Sequence, residues 1–420
     1  MADRDIRGPN LMVEALSSST SAHAVRARFL ALDSLRGLCA CMIVLFHLHS
    51  TGRVTNSSLV HNSWMFVDFF FVLSGFVISC GYLERLRTGY SVGKFMLLRL
   101  GRVYPLHFAI LALFLAMEIV GALVGTAGLS HRTPFSDPRT LGELAGSLAL
   151  VQIFCGFPSI VWNGPSWSIA AEVWTYLLMA VLFRALPRWT APMAAALAIS
   201  AGLVLALAGP PAWDPATAYS FARCILGFSL GVLAWMLVAR MRWPALGLLP
   251  ATTLELIATA ACIAMVAAGA VPVLAPLLFA ATVILFAAEQ GLISRLLKLR
   301  PFLLLGTLSY SIYMVHTLVV ARSLDVLSLV GTSLHHPLIE TRFNTGGTLK
   351  IVTFAPDLMV FVVLGVVVLV SAATYRWIEA PARDASRKWL SRKGPSSQAP
   401  IATDAAPVAD RDPIAATVPA

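Results

Sequence analysis

Arg36 and His47 stand out because both lie in an apolar run long enough to cross a membrane. The run, Leu32 to His49, reads LDSLRGLCACMIVLFHLH, and the two residues are 11 positions apart. At about 100° per residue they project from one face of a helix, and the rise of ~1.5 Å per residue separates them by about 16 Å. His47 then falls near the middle of a ~30 Å hydrocarbon core. An ionisable group is costly at that depth, so a functional site is the default expectation, and a histidine bonded to a neighbouring helix or to water is the alternative. Neutral imidazole can take a proton from a hydroxyl or act as a nucleophile.

Further clusters follow along the chain. Arg99 and Arg102, in RLGRVYP, share a helix face three residues apart. Two guanidinium groups at a membrane surface suit a phosphate or pyrophosphate, or they anchor the helix to lipid headgroups. In NGPSWSIAAE, Asn163 or Ser166 can cap a helix, and Ser168 and Glu172 lie on one face of it. Glu172 is either a functional carboxylate or the partner of an arginine such as Arg223. Ser309, Tyr313 and His316 fall on one stripe of a later run. Asp68 and Arg223 are further intramembrane charges. Glu118 has no evident partner, nor do His49, His61, His107, His131, His335 and His336. Glu379 to Arg383 reads as a helix stop and lipid anchor.

These residues need helices to carry them. Of the 420 residues, 58% are hydrophobic and 12% charged, with a mean hydropathy of +0.78. Soluble domains carry roughly 25% charged residues. Runs of about 20 apolar residues succeed one another, too long and uniform for a β-barrel. The net charge of +10 is a topology signal, and its spread through short loops speaks against nucleic-acid binding. The six cysteines show no metal-type spacing and read as small core residues. No metal or permanently bound cofactor is expected, and no cleavable signal peptide is evident.

Spans are expected at about 32–50, 64–84, 103–126, 166–186, 190–209, 220–239, 254–271, 273–290, 302–324 and 356–378. If 141–157 also crossed, the clusters at Arg184/Arg188 and Arg240/Arg242 would fall outside. Leaving it out satisfies the positive-inside bias throughout, so 141–157 reads as an interfacial or re-entrant helix. The expectation is an all-α polytopic integral membrane protein of about ten transmembrane helices with both termini cytoplasmic. Residues 1–28 and 391–420 read as disordered cytoplasmic arms flanking one membrane domain, 29–383.

Taken together, these motifs resemble the acyltransferase type 3 membrane family, which acylates sugars and other small acceptors. The resemblance runs from about Phe29 to Arg383. The first span carries the family's Arg-x10-His, at Arg36 and His47, and FFFVLSGF (69–76) matches the second-span motif. RLGRVYP (99–105) matches Arg-x2-Arg-x2-Pro, and NGPSWSIAAE (163–172) looks like Trp-Ser-x3-Glu. Arg223, Phe228 and Gly231 look like Arg-x4-Phe-x2-Gly, SYSIYMVH (309–316) matches Ser-Tyr-x2-Tyr-x2-His, and a Glu-x-Pro-x-Arg ending is present.

The resemblance implies a ten-span fold in a bacterial cytoplasmic (inner) membrane and an acyl-CoA co-substrate, acetyl-CoA by preference, reached from the cytoplasm. Carbohydrate or glycolipid hydroxyls are the implied acceptors. Some members carry a fused extracytoplasmic hydrolase-like domain; this chain ends soon after Arg383, so a separate extracytoplasmic protein is expected to supply any second step. On this reading His47 is general base or acyl carrier, Arg36 orients the donor or balances charge on its carbonyl oxygen, and Glu172 completes the catalytic set. Arg99 and Arg102 hold CoA phosphates. Asp68, Ser168, Arg223, Tyr313 and His316 bind substrate, with Glu172, Tyr313 and His316 on the acceptor side of a through-membrane cavity. A proton-coupled transporter using His47, Glu172 and His316, and a non-catalytic subunit of polysaccharide export, are the rivals. The transporter would favour inverted repeats and Gly/Pro-broken helix pairs, which the chain lacks.

Overall fold

The computed structural model describes residues 29–124, 134–136, 139–157, 162–209, 213, 219–241, 244–344 and 347–392. The helices are α1 (Leu30–Phe46), α2 (Ser58–His61), α3 (Phe66–Arg87), α4 (Val92–Val124), α5 (Leu141–Leu148), α6 (Ser166–Ala185), α7 (Thr190–Ala208) and α8 (Tyr219–Val238). They continue as α9 (Leu248–Ala268), α10 (Ala275–Ala287), α11 (Leu292–Leu297), α12 (Arg300–Ser333), α13 (Pro356–Thr374) and α14 (Ala380–Arg392). A hairpin, β1 (Ile339–Asn344) and β2 (Gly347–Val352), pairs antiparallel with Ile339 opposite Val352.

Among the described residues, eight helices are long and apolar enough to cross a membrane. Two further expected spans coincide with shorter helices, the 17-residue α1 and an apolar stretch at Pro272–Ala287. The protein is an all-α polytopic membrane protein. Its surface fits a hydrocarbon solvent: Ile199, Leu203 and Leu207 on α7 and Leu249, Leu256 and Ile257 on α9 are exposed.

Contacts between loops show that the passes alternate. On one face, Arg87 at the end of α3 donates to the Pro187 carbonyl after α6. Glu289, after α10, accepts from the backbone of Ala31 at 2.8 Å and pairs with Lys298. On the opposite face, Asn62 before α3 donates to the Ala267 carbonyl of α9. There too, Asp357 of α13 accepts from the backbone of Arg53 and Val54.

The segment 141–157 does not cross. α5 has eight residues, about 12 Å of helix, and a Thr140/Glu143 capping box starts it. It runs back along α4: Glu118 accepts from the backbone of Phe135 at 3.0 Å, and the Ser147 carbonyl lies 2.9 Å from His107 Nε2. Tyr104 donates to the Leu148 carbonyl at 2.9 Å. From Phe135 to Leu148 these contacts follow α4 from position 118 back to 104, about 21 Å of helix. Glu118 and His107 thereby gain the partners that their sequence neighbours did not reveal.

Two glycine contacts set the helix pairs that matter most. A Cβ on Gly37 would fall on the Leu305 and Gly306 backbone, and one on Gly306 would fall on that of Asp33. α1 and α12 therefore touch backbone to backbone. Likewise, Cβ atoms on Gly75 of α3 and Gly231 of α8 would strike the Phe228 and Val72 carbonyls. Small residues allow such approach where no hydrophobic force acts between helices in lipid.

Several boundaries differ from the sequence expectation. α4 begins 11 residues before position 103 and continues through Pro105, placing Arg99 and Arg102 inside a helix. α13 ends in a π turn, Tyr375–Glu379, before α14. Glu379 is buried there and accepts from Ser311 at 2.7 Å, so it belongs to the bundle interior rather than a lipid-anchoring end. Cys155 is exposed, unlike the core role expected of it.

Candidate functional site

α1, α3, α4, α6 and α12 enclose a cavity of about 100 Å³. Arg36, Ser74, Arg99, Arg102, Glu172 and Tyr313 are among its lining residues. Three guanidinium groups and one carboxylate thus face a space walled mostly by apolar helices. Such a charge set in low dielectric favours an anionic ligand.

Each group is held in place. Arg36 donates through Nε to Ser309 Oγ at 2.7 Å and through Nη2 to the Gly306 carbonyl at 3.2 Å, and it pairs with Asp33 at 3.2 Å. The close α1–α12 contact at Gly37 and Gly306 makes these bonds reachable. Arg99 is only 4% exposed. Its guanidinium lies 5.1 Å from the Tyr82 ring centre and donates to the Tyr82 hydroxyl at 3.2 Å. That burial removes the lipid-headgroup alternative for Arg99. Glu172 Oε1 accepts from Ser74 and, at 2.5 Å, from Tyr176.

The end of the lining nearest α12's later turns carries Ser168 and Tyr313. Ser168 Oγ and the Tyr313 hydroxyl share a 2.9 Å hydrogen bond, and Phe70 packs edge-on to Tyr313 at 5.7 Å. Beyond this bar lie His316 and His47, neither of which lines the cavity. The lining thus includes Ser168 and Tyr313 but neither histidine. α1 ends at Phe46, so His47 is a C-cap residue and is exposed, not enclosed within the helix. Its Nδ1 lies 3.2 Å from His316 Nε2.

The acyltransferase-domain family model, acyltransferase 3, matches residues 29–376. The chain belongs to the acyltransferase 3 family. It is a membrane acyltransferase. A curated relative, protein 2 in the picA locus of Rhizobium radiobacter, is 35% identical over 158 residues, covering 35% of this chain and 78% of the relative. No solved structure matches the chain.

Within this acyltransferase fold the structure separates the sequence-derived candidates into three sets. Arg36, Arg99, Arg102, Glu172, Ser168 and Tyr313 meet at the cavity. His47 and His316 form a pair beyond it. Asp68 and Arg223 line neither place; each is buried and they bind one another. Arg223 Nε and Nη2 donate to the two Asp68 oxygens at 3.2 and 3.0 Å. Trp64, Trp167 and Trp213 surround the guanidinium at 5.1 to 5.3 Å. The pair joins α3 to α8, and it also answers what Arg223 does if not bind Glu172. Neither Asn163 nor Ser166 caps α6; its N-cap is Pro165.

Sequence reasoning named no role for Ser74, Tyr82 or Tyr176. Tyr176 follows Glu172 by one helical turn, a spacing that could have marked it as a partner. Ser74 and Tyr82 carry no such signal, since they meet Glu172 and Arg99 only through tertiary packing.

Proposed function

We propose that this acyltransferase moves an acetyl group from acetyl-CoA to a hydroxyl of a carbohydrate or glycolipid. The observation that carries the reading is the convergence of Arg36, Arg99 and Arg102 on one cavity whose lining also holds the hydrogen-bonded Ser168 and Tyr313, with a histidine pair one helical turn further along α12. The cavity is too small to enclose a whole CoA. It accommodates the reactive end of the pantetheine arm, while Arg99 and Arg102 bind phosphate oxygens through paired N–H donors.

The face bearing Arg87, Arg188, Arg295 and Lys298 is cytoplasmic on this reading, by the positive-inside bias. Donor then enters on that side and acceptor on the side of His47. The thioester reaches His47 once the Ser168–Tyr313 bond opens. The acceptor hydroxyl attacks the thioester carbonyl as its proton passes to His47, and the C–S bond breaks. The CoA thiolate leaves and recovers the proton from His47. Arg36, held toward the donor end, orients the arm.

Purified protein with acetyl-CoA and the producing cell's envelope carbohydrate fraction tests the reading. Expected are CoA release and an acetyl-sized mass gain on carbohydrate, both lost in His47→Gln, which keeps hydrogen-bonding atoms but cannot take the proton. An acetyl adduct on the peptide holding His47 after acetyl-CoA alone would instead make the histidine an acyl carrier. Absence of CoA release and of any mass gain defeats the proposal and favours a transport role.

A further inference from the structure

His316 is fully buried, and both of its ring nitrogens have partners. Nδ1 lies 2.7 Å from the Tyr313 carbonyl oxygen, and Nε2 lies 3.2 Å from His47 Nδ1. A carbonyl only accepts, so the proton of neutral His316 is on Nδ1 and its Nε2 carries a lone pair. His47 Nδ1 faces that lone pair and also the Ile43 carbonyl, at 2.9 Å. Two acceptors around one nitrogen require a proton on it. A cationic or oppositely tautomerised His316 would instead point an N–H at His47 Nδ1 and leave its lone pair against the Ile43 oxygen.

The geometry points to His316 as a positioning residue that fixes His47 as its Nδ1–H tautomer and leaves Nε2 as the basic atom toward the acceptor hydroxyl. The inference rests on the proposed base role of His47. The histidine expected from sequence to bind acceptor takes the place of the orienting third group of a nucleophile–base–orienter set, here an imidazole. The ring centres are 4.7 Å apart and the ring planes inclined at 60°, so the two rings are not stacked. When His47 Nε2 takes the proton of the acceptor, its Nδ1–H already has an acceptor in place, and no reorganisation is needed. The α1–α12 contact at Gly37 and Gly306 brings the two rings to this distance.

Nitrogen NMR of the full-length protein in lipid nanodiscs, labelled at the histidine rings, reads the bond directly. His47→Gln and His316→Gln spectra assign the signals. Expected are protonated Nδ1 and bare Nε2 on both rings, with a scalar coupling across the bond between His47 Nδ1 and His316 Nε2. A His47 proton on Nε2, or no coupling, overturns the inference, and this needs no active variant. Turnover of acetyl-CoA with the envelope carbohydrate fraction is the second readout. His316→Phe should lower kcat about 10²-fold at an unchanged KM for acetyl-CoA. His316→Gln, whose amide oxygen accepts the same N–H, should restore part of the loss. A wild-type rate for His47→Gln overturns the base reading itself. A wild-type rate for His316→Phe beside an inactive His47→Gln overturns the positioning role alone.

Discussion

Arg99 and Arg102 sit one helical turn apart on α4, and both face the cavity. Arg99 is stacked on Tyr82, and Phe95 lies 5.9 Å from its guanidinium. Charge-assisted hydrogen bonds contribute about 1.5–3 kcal/mol each. Arg99→Ala or Arg102→Ala should therefore raise the KM for acetyl-CoA roughly 10- to 100-fold. Most of the effect belongs in KM if the phosphate contacts are the same in ground and transition states. Arg99→Lys should recover only part, because an ammonium neither stacks as a plane on Tyr82 nor presents two parallel donors. Unchanged donor affinity in both alanine variants, measured by equilibrium binding of acetyl-CoA, would remove the phosphate role.

Helix pairs decide whether these residues meet. The α3–α8 contact combines the close approach at Gly75 and Gly231 with the buried Asp68–Arg223 pair. Removing one member leaves an uncompensated buried charge, which costs about 3–5 kcal/mol. Asp68→Ala should thus lower the melting temperature in detergent micelles, while the folded fraction keeps its KM for acetyl-CoA. Asp68→Leu combined with Arg223→Leu should melt higher than Asp68→Ala alone, since no charge is stranded. A raised KM at an unchanged melting temperature would return Asp68 to substrate binding. The α1–α12 contact has a different consequence. Gly306→Val drives a side chain into the Asp33 backbone, which lengthens both the Arg36–Ser309 and the His47–His316 contacts. Transfer should fall at least tenfold even where the bundle remains assembled, because a misplacement of about 1 Å can cost about 10²-fold. Unaltered kcat in correctly folded Gly306→Val would show that this pairing does not position the site.

At the scale of the molecule, the loop contacts place the basic residues around Arg87, Pro187 and Lys298 on one face. Arg188→Cys and Arg295→Cys should resist an impermeant thiol reagent applied to intact cells. Thr51→Cys and Glu340→Cys, both exposed on the opposite face, should be labelled. Outside labelling of Arg188→Cys would mean that the re-entrant segment crosses after all. The hairpin β1–β2 lies on that opposite face, where the Val352 carbonyl accepts from the Thr51 backbone at 3.0 Å and the Val352 amide donates to the His49 carbonyl at 3.0 Å. It ties the loop after His47 to the loop after α12, so the two helices that supply the histidine pair are joined at their outer ends as well as at Gly37.

The sequence by itself determined the membrane class and the family. These follow from composition, run length and motif order, which a chain carries without folding. Arg-x10-His was legible because both charges stand out against an apolar background. Sequence also showed that Ser309, Tyr313 and His316 share a stripe. It could not show that Tyr313 lines the cavity and bonds Ser168 while His316 turns to His47, because a shared helix face fixes direction and not partner. The pairing of Asp68 with Arg223 rather than Glu172 with Arg223 was likewise undecided, since opposite charges 155 residues apart find each other only when α3 and α8 touch. The termination of α1 at Phe46, one residue short of His47, carried no Pro or Gly signal. Tertiary contact decided these points because a buried polar group must be satisfied, and in lipid its partner comes from whichever helix packs against it.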